Sequence, residues 1–340
     1  MENKFKILSI DGGGVKGVFV AKYLMKIEAE LKQKGGENVS IRNHFDLITG
    51  SSTGALMAIA ISLGISAEEI YNLYINNAKG IFGNKRNILS QFFSSSHSST
   101  FLEKIVREKF SEHNGGEDPR LKDCKPHVCI PTYNLATGET KLFSTGYSKS
   151  GNRDSEAPAY QIAMAAVAAP TYFNPYEGNY KDLEGNSKQI SRIIDGGIIA
   201  KNPALIGFYE ATKEFNQPLS NLQILSIGTG KKVLANEKTN TQWGIHYWFL
   251  KNKRRRLFEV FTQAQSQQVI SQLNLMQKGI LKENSLVFDR VDTTLTMEDD
   301  IAFDEFNQKK IISFSNLALV EFKKNGTIIL SKHFQDSKNV

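Results

Sequence analysis

Ser52 stands at the centre of Gly50-Ser51-Ser52-Thr53-Gly54, a G-x-S-x-G pentapeptide. In such a turn the central serine takes a strained backbone conformation that lifts its hydroxyl clear, and the flanking glycines let strand and helix approach without Cβ clashes. The run Phe45-Asp46-Leu47-Ile48-Thr49 reads as a buried strand, and Ala55 to Ile61 reads as a helix ending near Gly64. Ser52 therefore falls at the turn between them, and the helix N-terminus behind it adds a positive field where an oxyanion develops. The chemistry this points to is nucleophilic attack on an acyl group. Alone, the pentapeptide also fits a glycine- and serine-rich turn of any α/β protein.

Two further glycine turns bear on that choice. Phe5 to Ile10 reads as a strand, followed by Asp11-Gly12-Gly13-Gly14-Val15-Lys16-Gly17 and a helix whose Val20, Leu24, Ile27 and Leu31 share one face. Strand, glycine loop and helix N-terminus aim backbone N–H groups at an anion, either a phosphate or a transient oxyanion. Gly12-x-Gly14-x-x-Gly17 also fits the dinucleotide fingerprint, which wants an acidic residue about 20 positions on, at the end of a second strand. Glu30 falls inside the first helix and Glu37 in a turn, so neither is well placed, and no Gly-Lys-Ser/Thr follows to make a Walker loop. The third element, Arg192-Ile193-Ile194-Asp195-Gly196-Gly197-Ile198, puts a carboxylate at a strand end, where open α/β sheets gather site residues. By itself, Asp-Gly-Gly reads equally as a turn signal.

Taken in order, D-G-G-G-x-K-G, G-x-S-x-G and D-G-G make the chain resemble the patatin-like phospholipases over roughly residues 5 to 230. Ala168-Ala169-Pro170-Thr171-Tyr172-Phe173 and Lys201-Asn202-Pro203-Ala204 look like the family's surroundings of these motifs. The resemblance implies a three-layer α/β/α fold around a mostly parallel sheet. It also implies Ser52 as nucleophile, Asp195 as its partner in a Ser-Asp dyad, and an oxyanion hole from the amides of Gly12, Gly13 and Gly14. Gly17, Gly50, Gly54, Gly196 and Gly197 support those turns. No cofactor or metal is implied. Some bacterial members of the family are cytosolic anti-phage effectors switched on by cyclic nucleotides, while plant storage lipases and secreted toxins share the same motifs.

A serine hydroxyl needs a base within about 2.6 to 3.2 Å, and a carboxylate serves if burial raises its basicity. The usual alternative is a Ser-His-Asp triad. Triads built on this elbow run serine, acid, histidine, which leaves only His246 and His333 after Asp195. His246 lies in an aromatic stretch, Trp243 to Phe249, and His333 lies near a C-terminal end expected to fray.

At 340 residues, with 40% hydrophobic and 23% charged, the chain has the composition of a soluble globular protein with a substantial core. No run approaches the roughly 18 apolar residues of a membrane-spanning helix, and Met1-Glu2-Asn3-Lys4 enters a strand without a leader. Two cysteines, Cys124 and Cys129, read as reduced thiols, so the expected location is cytoplasmic, with action at the inner membrane surface. The expected division is a catalytic α/β domain over 1–230 and a helical C-terminal region over 231–340. Within the latter, Trp243, Tyr247, Trp248 and Phe249 precede a basic run containing Lys251, Lys253, Arg254, Arg255 and Arg256. Aromatics beside such a run suit an anionic membrane or an activator's phosphates; a solvated helix face has the same pattern. Residues 84–100, rich in Ser and Asn around Phe92-Phe93, are a candidate lid.

The expected partners are a phospholipid membrane as substrate, a cyclic di- or trinucleotide activator, and further copies of the chain on activation. No nucleic-acid polymer is expected, because no recognised binding module is present. Two other readings stand beside this one: a dinucleotide-binding protein built on Gly12–Gly17, and a non-catalytic membrane-binding module.

Overall fold

Phe5–Ile10 (β1) is buried along its whole length, and its alternate side chains serve two different cores. Leu8 and Ile10 face one way, toward a cluster built from Gly17–Gly35 (α1), Thr53–Ser62 (α2) and Ala67–Phe82 (α3). Phe5 and Ile7 face the other, toward Ala204, Phe208 and Leu273. Period-two alternation with both faces apolar is what a sheet covered on both sides requires. The protein is described by a computed structural model over residues 4–36, 39–83, 97–148, 154–233, 248, 256–279, 285–296 and 298–338.

The remaining elements are Leu47–Gly50 (β2), Thr100–Glu112 (α4), His127–Asn134 (β3), Glu139–Ser144 (β4), Ala159–Ala166 (α5), Tyr176–Lys181 (β5), Ser187–Asp195 (β6), Gly197–Ala200 (α6) and Ala204–Lys213 (α7). Leu222–Ile227 (β7), Lys231–Lys232 (β8), Arg256–Lys278 (α8), Val287–Val291 (β9), Thr294–Leu295 (β10), Gln308–Ser315 (α9) and Leu317–His333 (α10) complete them. The main sheet runs β5-β6-β3-β2-β1-β7-β9, with β4 on β3. Its centre, from β3 through β2, β1 and β7 to β9, is parallel, while β4, β5 and β6 pair antiparallel. This is the three-layer α/β/α arrangement with a mostly parallel sheet.

The C-terminal region is not purely helical. β9 joins the main sheet beside β7, and α9 and α10 pack on α1, so residues beyond 230 complete the sheet. The sequence hides this strand because Asp289 and Arg290 interrupt the apolar pattern of Val287-Phe288-Asp289-Arg290-Val291. His333, expected near a fraying end, is fully buried: its Nε2 lies 2.9 Å from Asp289 Oδ2, and Lys6 reaches its carbonyl. Among the described residues, no helix is long and apolar enough to cross a membrane.

Candidate active site

Three parallel strands end side by side, and the glycine turns follow from where they stop. Ile10 of β1 is level with Gly50 of β2 and with Ile227 of β7. Ser51 N–H donates to Ile10 O at 3.1 Å and Asp11 N–H to Ile227 O at 3.0 Å, so elbow and loop leave the sheet in contact. A Cβ on Gly50 would strike the Gly54 carbonyl, and one on Gly54 the Ile10 carbonyl; side chains at either place would force strand and helix apart. Ser52 itself has φ 53° and ψ −129°, a left-handed conformation costing about 1 to 3 kcal/mol for a residue with a Cβ. Its hydroxyl makes no capping hydrogen bond to the helix it begins.

Asp195 arrives from 143 positions away. β3 pairs with β2 only as far as Thr49↔Cys129 and then runs on, and antiparallel β6 pairs with that extension, setting Asp195 opposite Thr132. Gly196 must be glycine there, because a Cβ would meet the Pro131 carbonyl. The result is a buried contact in which Ser52 Oγ donates to Asp195 Oδ2 at 2.5 Å, while Gly197 N–H donates to Oδ1 at 2.6 Å. Burial pushes the Asp195 carboxyl up to about 6, against the opposing pull of its Ser52 and Gly197 hydrogen bonds. A carboxylate that binds protons this readily is a competent base near neutrality. No histidine among the described residues is hydrogen-bonded to either group; His246 lies outside them.

The value near 6 carries a pH prediction. Proton acceptance needs ionised Asp195, so kcat/KM should climb with pH up to about 6 and level off above it. Below that point it should fall about tenfold per pH unit. A stopped assay on a soluble acyl ester across pH 4.5 to 8.5 checks this; a flat profile across that range would remove Asp195 from the proton transfer.

The glycine loop does not present all three of its amides. Gly12 N–H already donates to Lys201 O at 3.0 Å, which corrects the expectation that it faces the anion. Gly13 and Gly14 N–H have no partner among the described residues, and Gly14 has φ +58°. Thr53 N–H, first in the helix after Ser52, is likewise unpaired. Thr229 Oγ1 donates to Gly12 O and Thr53 Oγ1 to Gly14 O, both at 3.1 Å, clamping the loop from two sides. The dinucleotide reading fails here. Val15 N–H is bonded to Phe303 O at 3.0 Å, and a Cβ on Gly14 would strike the Phe303 ring and carbonyl, so no open phosphate cradle remains at this helix start. Gly17 is needed for a different reason, the close approach of Tyr74.

Behind the loop lies a network that the motifs gave no sign of. Arg290 of β9 forks onto Asp11, Nη1 to Oδ1 at 2.8 Å and Nη2 to Oδ2 at 2.6 Å, and also donates to Ser226 Oγ and Asp292 Oδ2 at 2.7 Å each. Asp292 in turn accepts Gly230 N–H at 2.9 Å. One guanidinium thus ties together the ends of β1, β7 and β9. The only sequence signal was a pair of charges inside a short strand.

Two cavities meet at Ser52. One, about 100 Å³, is almost wholly apolar and runs past Met57, Ile70, Phe82, Leu102 and Phe110. The other, also about 100 Å³, is lined by Asp195, Gly13 and three lysines, Lys16, Lys201 and Lys232. Phe303 borders both and packs against Tyr172, the rings tilted by 40° with centroids 4.6 Å apart. Such a pair of cavities suits an ester with one apolar and one polar arm.

Some sequence candidates are not brought to this site. Arg256 is buried, at 1% exposure, and so is not part of an exposed basic surface. Lys251, Lys253, Arg254 and Arg255 lie outside the described residues, as does most of the candidate lid, residues 84–96. Cys124 and Cys129 are buried and form no disulfide.

Patatin-like protein 2 of Arabidopsis thaliana is 28% identical over 359 residues, spanning 97% of this chain and 84% of that protein. A cGAMP-activated phospholipase of Vibrio cholerae serotype O1 is 28% identical over 342 residues, spanning 96% and 93%. Another of that name, from Escherichia coli, is 32% identical over 234 residues, spanning 66% and 62%. The family model described as patatin-like phospholipase matches residues 8–208. Because that single match takes in loop, elbow and Asp195 together, the chain belongs to the patatin-like phospholipase family of lipid acyl hydrolases.

Proposed function

We propose that the protein releases fatty acids from membrane phospholipids, with Ser52 as nucleophile and Asp195 as base. Asp195 takes the Ser52 proton as Oγ attacks the ester carbonyl, the oxyanion rests on the amides of Gly13 and Gly14, and water then frees the acid from an acyl-enzyme. The observation that carries this reading is the 2.5 Å Ser52–Asp195 contact at the junction of an apolar and a polar cavity. It disfavours a non-catalytic membrane module, which has no use for a buried, strained serine.

The finer reading is a switched enzyme. Near-full-length similarity to a Vibrio cholerae protein named for activation by cGAMP supports a cyclic-nucleotide activator, and self-association on activation and a role in anti-phage defence at the cytoplasmic membrane face belong to the same proposal. Phe258 and Phe261, exposed one turn apart on α8 with Phe258 at the rim of the polar cavity, suit contact with a bilayer surface.

Wild type, incubated with mixed phospholipid vesicles, should release fatty acid in the presence of one member of a cyclic-nucleotide panel and little in its absence. Release of equal size without nucleotide would leave a constitutive lipase. Silence under every condition from folded protein would overturn the hydrolase reading.

A further inference from the structure

The two cavities at Ser52 divide an acyl ester at its carbonyl. With the acyl arm in the apolar cavity, the alcohol arm must occupy the polar one, so the groups lining the latter decide which alcohols are accepted. Three ammonium groups line it, and they are not equivalent. Lys16 and Lys232 share one carboxylate, Asp300, at 2.9 Å each. Lys201 is held firmly by its backbone: its N–H donates to Gln265 Oε1 at 2.7 Å and its carbonyl accepts Gly12 N–H at 3.0 Å. Its ammonium, in contrast, makes no hydrogen bond or ion pair with any described residue.

The carboxylates around Lys201 are committed elsewhere. Asp11 and Asp292, the ones whose fields reach it most strongly, are both hydrogen-bonded by Arg290. Asp304, on the same cavity wall, faces His97 at 3.3 Å, and Glu259, also on the wall, is not within ion-pair reach. Burial lowers the Lys201 ammonium from its ordinary value, and no described carboxylate pairs with it. An unpaired ammonium on a cavity wall favours an anionic acceptor, and a phosphate oxygen supplies both the charge and the acceptor. Its backbone carbonyl also accepts Gly12 N–H, so the same residue braces the glycine loop and lines the polar cavity.

We propose that Lys201 is the contact for a phosphate group on the alcohol arm of the ester, so that the site selects phosphate-bearing acyl lipids over neutral glycerides. The proposal rests on Ser52 being the acyl-accepting group. The same chemistry is offered by a lipid phosphodiester and by the phosphate of a free nucleotide, and the cavity's continuity with Ser52 favours the lipid.

The test compares phosphatidylethanolamine with diacylglycerol of the same acyl chains, in the same mixed micelles and with the nucleotide panel present, for wild type, Lys201→Met and Lys201→Arg. The ratio of kcat/KM values, phospholipid over diacylglycerol, should fall about tenfold or more in Lys201→Met and recover in Lys201→Arg. Because the readout is a ratio within one protein, partial loss of folded enzyme cancels. A ratio equal to that of wild type in Lys201→Met overturns the proposal, as does a wild type that hydrolyses diacylglycerol but no phospholipid. If the substitution changes only the nucleotide concentration needed for activation, the phosphate read at Lys201 is the nucleotide's and the lipid contact is overturned. If wild type hydrolyses neither lipid, the assignment of Ser52 falls first and this inference falls with it.

Discussion

Ser52→Ala and Asp195→Asn are each expected to cut fatty-acid release by on the order of 10⁴- to 10⁶-fold while leaving a folded protein, since a nucleophile and its base act as a unit. The Asp195 variant carries a second, opposite expectation that separates catalysis from stability. Asp195 is buried, and its folded-state value of about 6 lies above the ordinary 3.8. The folded chain therefore holds that proton more tightly than the unfolded one. This favours folding fully below the unfolded value and is lost as pH rises through about 6. Above that point the buried, ionised carboxylate costs on the order of 3 kcal/mol. Asparagine keeps an acceptor for Gly197 N–H and removes the charge, so Asp195→Asn should unfold at a higher temperature than wild type at pH 8, with the gain shrinking toward pH 5. Thermal unfolding at the two pH values, beside the vesicle assay, checks both halves. An Asp195→Asn protein that still turns over near the wild-type rate would end the dyad proposal.

Arg290→Met is expected to produce the largest loss outside the dyad. Its guanidinium is the shared partner of Asp11 and Asp292, and removing one member of a buried pair costs about 3 to 5 kcal/mol because the remaining charge is stranded. Burial raises the Asp11 carboxyl and Arg290 is the first of the groups that pull it back, so without Arg290 its burial is uncompensated and the fork that fixes it beside the loop is gone. Asp11 directly precedes Gly12, so a small shift there moves the amides of Gly13 and Gly14. Displacements of about 1 Å in a positioning group cost about 10²-fold in rate. The expected signature is a lower melting temperature and a fall in kcat with KM little changed. Asp11→Asn combined with Arg290→Met should recover part of the stability without the turnover, because the stranded charge is gone but the fork is not restored. Lysine at 290 keeps the charge and loses the bidentate geometry, and should fall between. A folded Arg290→Met protein with wild-type kcat would show that the loop holds its shape unaided.

Much of the site's local form is written in short stretches of chain. Gly50, Ser52 and Gly54 declare an elbow because a tight strand-to-helix turn admits few other residues. Asp11 to Gly17 declares a loop with bared amides for the same steric reason. Both were legible, as was β1. These features depend on contacts within a few residues.

What depended on distant parts of the chain was not legible. That Gly12 N–H is consumed by Lys201, that β9 completes the sheet, that Arg290 grips Asp11 from 279 positions away and that His333 is sealed against Asp289 all follow from strand pairing and burial. A charged residue in a short strand looks the same in sequence whether it meets water or a buried partner. The sequence by itself determined the order and backbone form of the three turns, since sterics are local. Only the tertiary structure decided that Asp195 meets Ser52 and which amides and ammonium groups remain unpaired around them, because hydrogen-bond partners are allotted by how the strands and helices pack.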